Sequence, residues 1–394
     1  MPSTTFVSSP AFTIRPLSPE LSQKSLLGAE VIINPGVPQV LSIENLTPED
    51  ISVLRQALYD YSVLVIRRQN GIEPTTLPQL AAIWDDKMID THSAGKQPIS
   101  DPKNILSRTV ALRTQKCDAV SIIGNGHFEN YEGIASVDLL HVEHSEFHAH
   151  PLTEEEIADG QTRFYRWHMD MPCYQTLPGK VTLIHGIVIP DRPRQKIVFE
   201  NGGVLPVDAG ATAFVSGARA FSLLTPEEQE FALNTTIKYA PRPYEWIRDC
   251  KATSDGITIA KVGNERPLDE LPEWTEKHVQ AHPMVWRNPG RPDQPHLQIL
   301  GNCVRSLVTT DPATGVQTAI DDLAETRRIC RSLQQKTMAP EYIYAHAWEQ
   351  GDLVIFHNQG VLHSITGQLG DTKRLMWQCT MASAAPPEAF RTVK

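Results

Sequence analysis

Residues 163 to 171, with the sequence RFYRWHMDM, carry the side chains whose types and spacing point most directly to chemistry. Alternate side chains of an extended strand share a face, so His168 and Asp170 would project from the same side. Phe164 and Arg166 belong to that face, and the opposite face carries Tyr165, Trp167, Met169 and Met171. A neutral imidazole and a carboxylate placed in this way can bind one metal ion together. The segment therefore predicts two metal ligands on one strand.

A third ligand is offered near the far end of the chain. Residues 351 to 356 read as a buried strand, residues 357 to 360 as a turn, and His363 lies at the start of the next strand. Arg374 follows eleven residues later, beyond a turn rich in Gly and Asp, so a hairpin would put His363 and Arg374 on neighbouring strands. Two His and one carboxylate on one side of an iron leave the opposite positions open for a chelating molecule and oxygen. This arrangement is the facial triad of non-haem Fe(II) oxygenases.

These motifs resemble the Fe(II)/2-oxoglutarate dioxygenases of the taurine dioxygenase type, which share a His-X-Asp pair, a late His and an Arg after it. Most of the chain from about Ser42 onward also resembles the fungal 2-oxoglutarate-dependent xanthine dioxygenases. The shared phrases are TRFYRWH at 162–168, YAP at 239–241, FHN at 356–358 and GVLHS at 360–364. An isolated His-X-Asp is a weak signal, whereas these phrases in order are specific.

The resemblance implies which cofactors the site uses and which residues bind them. Iron would be held by His168, Asp170 and His363. The cosubstrate 2-oxoglutarate, consumed with oxygen and released as succinate, would be held at its distant carboxylate by Arg374. Arg suits this role because its planar fork binds a carboxylate with two hydrogen bonds. Thr212 matches a family Thr that contacts the cosubstrate, although a simple β-branched strand residue is an equal alternative.

The strand that begins at Arg374 is expected to form one wall of the substrate pocket. Gln378 and Thr380 would share the face of Arg374, while Leu375, Trp377 and Cys379 would face away. The alternative is that Gln378 and Thr380 are polar residues on an exposed strand face.

Five predicted pocket positions can be compared with the xanthine dioxygenases that the chain resembles. Ser121, Leu140 and Thr380 stand where those enzymes have Gln, Lys and Asn. Gln378 and Glu156 are retained. The three changes remove long amide and ammonium donors. A polar substrate that relied on hydrogen bonds from these donors would bind poorly to a site that lacks them. The resemblance therefore predicts that the core chemistry is kept and the substrate is changed.

We predict a compact small-molecule substrate with one polar end and an aliphatic part near the iron, and Ile343 is a further candidate pocket residue. A small amino acid or an intermediate of fungal secondary metabolism fits this description. One alternative is the hydroxylation of xanthine to uric acid. Another is a metal-free binding protein on the same scaffold, which the intact triad and Arg374 disfavour.

Several other histidines are expected to lie outside the site. The polar stretch between Gly133 and Ala158 contains His141, His144, His148 and His150. Because this stretch has no regular periodicity, we expect solvated loop histidines there and not a second metal site. His185, alone in a hydrophobic strand, is expected to be a hydrogen-bonded structural residue. His357 is the alternative third ligand, but only the later His has the family's spacing to the Arg.

The predicted elements favour a mainly β fold with flanking helices. Numerous short strands surround the metal motif, and helices are early or inserted, as in a double-stranded β-helix of the jelly-roll type. The resemblance implies the same fold. Thr47 and Pro48 open a helix that is expected to end near Tyr61. Because the proposed ligands lie near the middle and the end of the chain, residues 1–394 are predicted to be one domain, with residues 1–28 as a loosely held arm.

Composition excludes several classes of partner. The formal net charge is -10 and basic residues are scattered, so neither nucleic acid nor an anionic membrane is an expected partner. The six cysteines are singly spaced and residues 1–19 do not resemble a secretory signal, which predicts free thiols and a cytoplasmic location. Such a reducing setting also keeps iron as Fe(II). Nothing in the sequence indicates an oligomeric state.

Overall fold

The structure is a computed structural model and describes residues 7–89, 112–170 and 176–391. Met171 and Cys173 lie outside these ranges. Strands predominate in the described chain, as the sequence predicts. No described helix is long and apolar enough to cross a membrane.

The strands, in chain order, have the following bounds: β1 (Val7–Ser8), β2 (Phe12–Pro16), β3 (Ala29–Ile33), β4 (Val63–Ile66), β5 (Leu112–Thr114), β6 (Cys117–Tyr131), β7 (Ile134–Leu139), β8 (Gln161–Thr162), β9 (Val181–Val188), β10 (Gln195–Val198), β11 (Val204–Val207), β12 (Thr212–Ser216), β13 (Thr235–Tyr239), β14 (Ala281–Pro283), β15 (Val285–Asn288), β16 (Arg291–Leu297), β17 (Val304–Thr310), β18 (Gln317–Ile320), β19 (Ile343–His346), β20 (Leu353–His357), β21 (Val361–Ile365) and β22 (Arg374–Thr380).

The α-helices are α1 (Pro19–Ser25), α2 (Pro48–Tyr61), α3 (Thr76–Ala81), α4 (His144–Phe147), α5 (Glu154–Ala158), α6 (Gly217–Ser222), α7 (Pro226–Leu233), α8 (Pro243–Trp246) and α9 (Leu323–Gln334). Short 3₁₀ helices occur at Ile43–Asn45, Leu268–Glu270, Glu276–His278, Gln335–Thr337 and Pro340–Tyr342.

The large sheet contains ten strands in the order β1-β2-β3-β4-β20-β9-β22-β6-β5, with β7 paired to β6. Side chains alternate between its two faces along each strand. On the outer face, Leu183 and Leu375 pack with Leu58 of α2 and Leu80 of α3. On the inner face, Met376 packs instead with the side chains of a second sheet. The alternation predicted for the strand from Arg374 is therefore present.

The small sheet faces the inner side of the large sheet. It has the order β19-β12-β21. Phe214 of β12 and Tyr344 of β19 pack with Phe356 and Met376 of the large sheet in one buried cluster. Residues 164–168 run beside β21, so the small sheet is extended by the segment that carries the His-X-Asp pair. The two sheets thus enclose the predicted metal ligands.

Two expected features differ in the structure. Residues 163–171 are expected to form one strand, but in the described part, residues 163–170, pairing is limited to isolated bridges of Phe164 with Thr366 and of His168 with His363. The spacing between the bridges differs on the two segments, so the register shifts and no regular ladder forms. Residues 1–28 are expected to be a loosely held arm, yet in the part of this segment that the structure describes β2 pairs along its whole length with β3, and its Phe12 is 1% exposed. Burial of apolar residues at alternate positions of β2 fixes this segment to the sheet.

Helix α2 begins and ends as the sequence predicts. Thr47 is its N-cap, Pro48 lies in its first turn, and Asp50 completes a capping box with Thr47. Asp50 also accepts hydrogen bonds from the Ser9 hydroxyl and the Ala11 backbone N–H, at 2.6 and 2.8 Å. The start of α2 is therefore tied to the N-terminal strands of the large sheet.

Candidate metal centre

The structure brings His168, Asp170 and His363 together. One ligand atom from each lies within 4.8 Å of the others. His363 Nε2 is 3.8 Å from Asp170 Oδ1, and the ring centroids of His168 and His363 are 4.1 Å apart. Two imidazoles and one carboxylate at this separation match the donor set of a facial triad.

Backbone pairing explains why the two histidines meet. His168 and His363 are directly opposite each other, and each donates its backbone N–H to the carbonyl of the other, at 2.9 and 2.7 Å. Residues opposite each other on neighbouring strands project to the same face. Asp170 follows two residues after His168 and lies on the same side.

Three side chains orient Asp170. Its backbone N–H donates to Asn358 Oδ1 at 2.8 Å, and Asn358 Nδ2 donates to its carbonyl at 3.1 Å. Thr182 and Thr380 donate to carboxylate oxygen Oδ2, at 2.8 and 3.3 Å. Oδ1 is the oxygen that lies toward His363. Because Oδ2 is held in this way, Oδ1 stays directed at the two histidines, which together with Asp170 form the ligand group.

Both histidines are suited to metal binding because their environment favours neutral imidazole. Burial holds the pKa of His168 well below its usual range, and the nearby His363 and Arg166 lower it further. Burial also lowers the pKa of His363, although Asp170 opposes this effect. Metal ligation requires the neutral ring.

Arg374 is a buried cation at the first residue of β22, on the same face as Gln378 and Thr380. It is 3% exposed, and its Nε makes no hydrogen bond in the described structure. Burial alone lowers its pKa to about 10. Gly210 lies against it, since a Cβ there would be 3.1 Å from Arg374 Cδ and Nε. A buried guanidinium of this kind favours binding of an anion, and its fork fits a carboxylate.

Thr212 is placed on the enclosed side of the small sheet. In β12, Phe214 pairs with His363 and Thr212 pairs with Ile365, so Thr212 and His363 share a face. Thr212 is 1% exposed, and its hydroxyl accepts a hydrogen bond from Trp348 Nε1 at 3.1 Å. The hydroxyl proton is left to donate to another acceptor.

Three of the predicted pocket residues lie on the inner face of the large sheet. Gln378 is paired with Ser121 of β6, and Thr380 contacts the Asp170 carboxylate. Sequence reasoning missed Arg113, which lies opposite Ser121 on β5 and donates a hydrogen bond to its hydroxyl. The sequence feature that could have identified Arg113 is the short strand before Lys116. This strand forms a hairpin with β6 and so puts the Arg113 guanidinium beside the wall.

Ile343 does not lie where the sequence suggested. It pairs with Val215, whereas Tyr344 pairs with Phe214, which in turn pairs with His363. Ile343 therefore projects from the opposite face of the small sheet to His363 and packs in a different buried cluster. A shift of one residue in strand register moves a side chain to the opposite face of the sheet. The register of β19 could not be read from the sequence, so the choice between Ile343 and its neighbour Tyr344 was open.

Leu140 and Glu156 have surroundings unlike those of a closed pocket wall. Leu140 is 48% exposed. Glu156 closes a capping box with Thr153 at the start of α5, accepting its backbone N–H at 2.8 Å. The described contacts thus connect neither side chain to the ligand group.

The expectation of solvated histidines at 141–150 is wrong for two of the residues. His141 is 8% exposed and His148 is 3% exposed, while His150 is exposed as expected. His141 Nε2 is 3.2 Å from the Gly367 carbonyl, and burial together with the charge of Arg374 lowers its pKa to about 3. Pairing of β6 with β7 brings the residues after β7 back to this part of the sheet.

Two other histidines face away from the ligand group. His357 follows the inward-facing Phe356, is fully buried, and packs edge-on against Tyr59 of α2. His185 pairs with Trp377 and lies on the outer face of the large sheet. The Gln69 backbone offers this ring the hydrogen-bond partner that is expected for a structural histidine.

Comparisons with known proteins agree with the geometry of the site. Residues 13–380 match the family described as taurine catabolism dioxygenase TauD, TfdA family. The chain is 37% identical over 388 residues to the alpha-ketoglutarate-dependent xanthine dioxygenase xanA of Emericella nidulans, covering 97% of this chain and 100% of the relative. It is also 37% identical to xanthine dioxygenase xan-1 of Neurospora crassa, covering 88% and 83% of the two chains.

Solved structures support the fold. A taurine dioxygenase from Burkholderia xenovorans superimposes with a TM-score of 0.54 over 97% of this chain and 95% of that chain, at 16% identity. At this identity the similarity concerns the fold alone.

Proposed function

The chain belongs to the TauD/TfdA family of dioxygenases, and we propose that it couples the conversion of 2-oxoglutarate to succinate with oxidation of a small molecule at Fe(II). One observation carries this proposal: a His-Asp-His group lies between two sheets that also enclose a buried, uncompensated Arg374.

We assign the three metal ligands to His168, Asp170 and His363. Iron held there would activate oxygen, with 2-oxoglutarate and the substrate as the sources of electrons. The chain supplies neutral imidazoles, a carboxylate oriented by Asn358, and an enclosed position between the sheets. The metal-free binding protein is disfavoured, because such a protein would not require two neutral imidazoles and a carboxylate within 4.8 Å of one another.

Arg374 and Thr212 are the proposed cosubstrate residues. The Arg374 fork would bind the distant carboxylate of 2-oxoglutarate, and the Thr212 hydroxyl would add a donor from the facing sheet. Binding of this carboxylate would compensate the buried charge of Arg374. His141 nearby is neutral, so Arg374 is the positive charge available to this carboxylate.

We further propose that the two facing sheets form a double-stranded β-helix and that residues 1–394 are one domain. The support is the joining of N-terminal strands β2–β4 to β20 and β22 in one sheet. The five described cysteines are not in disulfides, which supports a cytoplasmic location. We propose a small molecule as the partner, without nucleic acid or membrane.

The proposed substrate is a small amino acid or an intermediate of fungal secondary metabolism. Its polar end would meet Gln378 and Arg113, and its aliphatic part would meet Ile184 and Met376, which lie on the same inner face. Thr380 is already engaged with Asp170, so it is poorly placed to replace the Asn of the xanthine dioxygenases as a purine anchor.

Xanthine is the second candidate substrate. It is favoured by the 37% identity to a xanthine dioxygenase over nearly the whole chain. Gln378 is retained, and Arg113 adds a long donor that the expectation of an apolar wall did not include. Arg113 therefore weakens the argument that the pocket has too few polar donors to bind xanthine.

A substrate panel tests the proposal. Xanthine, other purines and aliphatic amino acids would be compared for succinate release above a no-substrate control, with products identified by mass. We expect an amino acid to exceed xanthine, and the Thr380→Asn variant to gain xanthine turnover. Efficient conversion of xanthine to uric acid, with no better substrate in the panel, would contradict the first choice and establish the second. Absence of succinate with every compound would contradict both.

A further inference from the structure

A separate cavity of about 330 Å³ opens on the outer face of the large sheet. This outer cavity is lined in part by Glu73, Lys116, Tyr131, Glu132, His185 and Trp377. His185 and Trp377 are paired across β9 and β22, and Trp377 packs with the outer cluster of the sheet. The metal ligands lie on the other side of the sheet. The volume is in the range of small-molecule sites, which is roughly 300–1,000 Å³.

Two polar groups of the outer cavity each have an atom without a partner in the described structure. His185 is 3% exposed, and because the Gln69 backbone engages at most one of its ring nitrogens, at least the other has no hydrogen bond. Burial lowers its pKa to about 4, although the Gln69 backbone and Asp352 oppose this, so the ring is neutral near pH 7. Glu132 carries a buried carboxylate oxygen, Oε2, that also has no partner. Buried polar groups of this kind are rare without a bound molecule or water.

The charge balance of the outer cavity favours a cation. Burial raises the pKa of Glu132, nearby Lys116 offsets part of this effect, and Glu73 raises the pKa further, so the carboxylate is only partly compensated. Lys116 is the basic residue of the lining, but its ammonium is paired with Glu73 at 2.7 Å. An anionic ligand would meet both carboxylates, and a neutral one would leave Glu132 uncompensated.

Aromatic rings provide the second requirement for binding an organic cation. Trp377 donates its indole N–H to the Tyr131 hydroxyl at 2.8 Å, which fixes the two rings beside Glu132. The His185 and Trp377 ring centroids are 5.5 Å apart. Aromatic faces attract ammonium groups, and neutral His185 offers one nitrogen as an acceptor.

We propose that the outer cavity binds a small organic amine in its protonated form. The ammonium group would pair with Glu132 and donate to His185, and its apolar body would pack against Trp377 and Tyr131. This site requires neither iron nor 2-oxoglutarate, so it is independent of the oxygenase reaction.

Calorimetric titration of the full-length protein tests this proposal. Benzylamine is the probe, with benzyl alcohol and benzoate as matched neutral and anionic compounds. We expect saturable binding of benzylamine, with benzyl alcohol weaker by roughly tenfold or more and no binding of benzoate. Glu132→Gln should weaken benzylamine to the level of the alcohol, whereas Glu129→Gln, exposed on β6 shortly before the turn that carries Glu132, should not.

The variants also distinguish this cavity from the metal centre. Asp170→Ala should bind benzylamine as the unaltered chain does, and circular dichroism would verify that each variant is folded. Loss of benzylamine binding in Asp170→Ala would place the amine at the metal centre and overturn the proposal. Equal binding of the three compounds, no saturable binding, or full binding by Glu132→Gln would also overturn it and leave a cavity filled by water.

Discussion

Asn358 binds the backbone of Asp170 from both sides, accepting its N–H at 2.8 Å and donating to its carbonyl at 3.1 Å. The same amide donates to the Gly179 carbonyl at 2.9 Å. Asn358 thus joins the end of β20 to the residue that supplies the carboxylate ligand. Because this contact is to the backbone, it sets the position of Asp170 without occupying the carboxylate.

The Asn358→Ala variant should therefore bind metal more weakly. Loss of a residue that orients a ligand typically reduces metal affinity by roughly ten- to a hundredfold. Titration with Mn(II) would measure the change without turnover. The neighbouring Gln359→Ala is the matched control, since Gln359 donates to the Pro178 carbonyl at 2.9 Å and is likewise buried. Equal losses in the two variants would show that the effect is one of general stability.

Arg374→Ala should bind metal normally but require more 2-oxoglutarate. A charge-assisted hydrogen bond to a carboxylate contributes about 1.5–3 kcal/mol, which corresponds to roughly a ten- to hundredfold rise in KM. Arg374→Lys should recover only part of the affinity, because an ammonium lacks the planar fork. Lys373→Ala is the control, since that ammonium lies 5.3 Å from the Phe128 ring centroid. An unchanged KM in Arg374→Ala would remove Arg374 from the cosubstrate site.

Gly210→Ala should also raise the KM for 2-oxoglutarate, because its Cβ would press on Arg374 Cδ and Nε at 3.1 Å. Gly202→Ala provides a control for backbone strain. Both glycines have positive φ, +73° at Gly210 and +82° at Gly202, but a Cβ at Gly202 meets nothing within 4 Å. Each substitution should lower the free energy of unfolding by about 1–2 kcal/mol. If both variants have the same KM, crowding of Arg374 is unimportant.

The sequence predicted that His168, Asp170 and His363 lie together and which way the β22 side chains face, because both depend largely on short-range patterns. His168 and Asp170 are separated by one residue, and the face of each β22 residue follows from alternation. The placement of His363 beside His168 and Asp170 followed from its motif and its spacing to Arg374. These patterns can be recognised in the sequence without knowing which strands pair with each other.

Features that depend on long-range pairing were not predictable in the same way. Ile343 faces away from His363 because of the register between β19 and β12. His141 is buried because the residues after β7 return to the neighbourhood of Arg374. Arg113 joins the pocket wall through a short hairpin with β6. No local periodicity in the sequence identifies any of these contacts, because each depends on which strands pair and in which register.

Asp50 should make stability depend on pH in the acid range. Burial alone would raise its pKa, but hydrogen bonds from Ser9, Thr47 and the Ala11 backbone lower it from 3.8 to about 2. A carboxyl with a depressed folded-state pKa stabilises above its unfolded pKa and loses this contribution as pH falls through the folded value. The contribution of about 2 kcal/mol should thus be present above pH ~4 and disappear toward pH ~2.

Denaturant unfolding of Asp50→Asn and of the unaltered chain would measure this dependence. The difference in unfolding free energy should be largest near neutral pH and should narrow as the pH falls below about 4. Glu49→Gln, at the exposed neighbouring position, should show little difference at any pH. A difference for Asp50→Asn that stays constant down to pH ~2 would contradict the proposed role of the charged carboxylate.

The most direct test of the metal assignment is succinate release from 2-oxoglutarate as Fe(II) is added to metal-free protein. Succinate formation should saturate at one Fe(II) per chain, and His168→Ala, Asp170→Ala and His363→Ala should each abolish it because a three-ligand site has no spare ligand. His127→Ala, at an exposed histidine distant in sequence from the ligands, should release succinate like the unaltered chain. Undiminished, iron-dependent succinate release by Asp170→Ala would contradict the assignment.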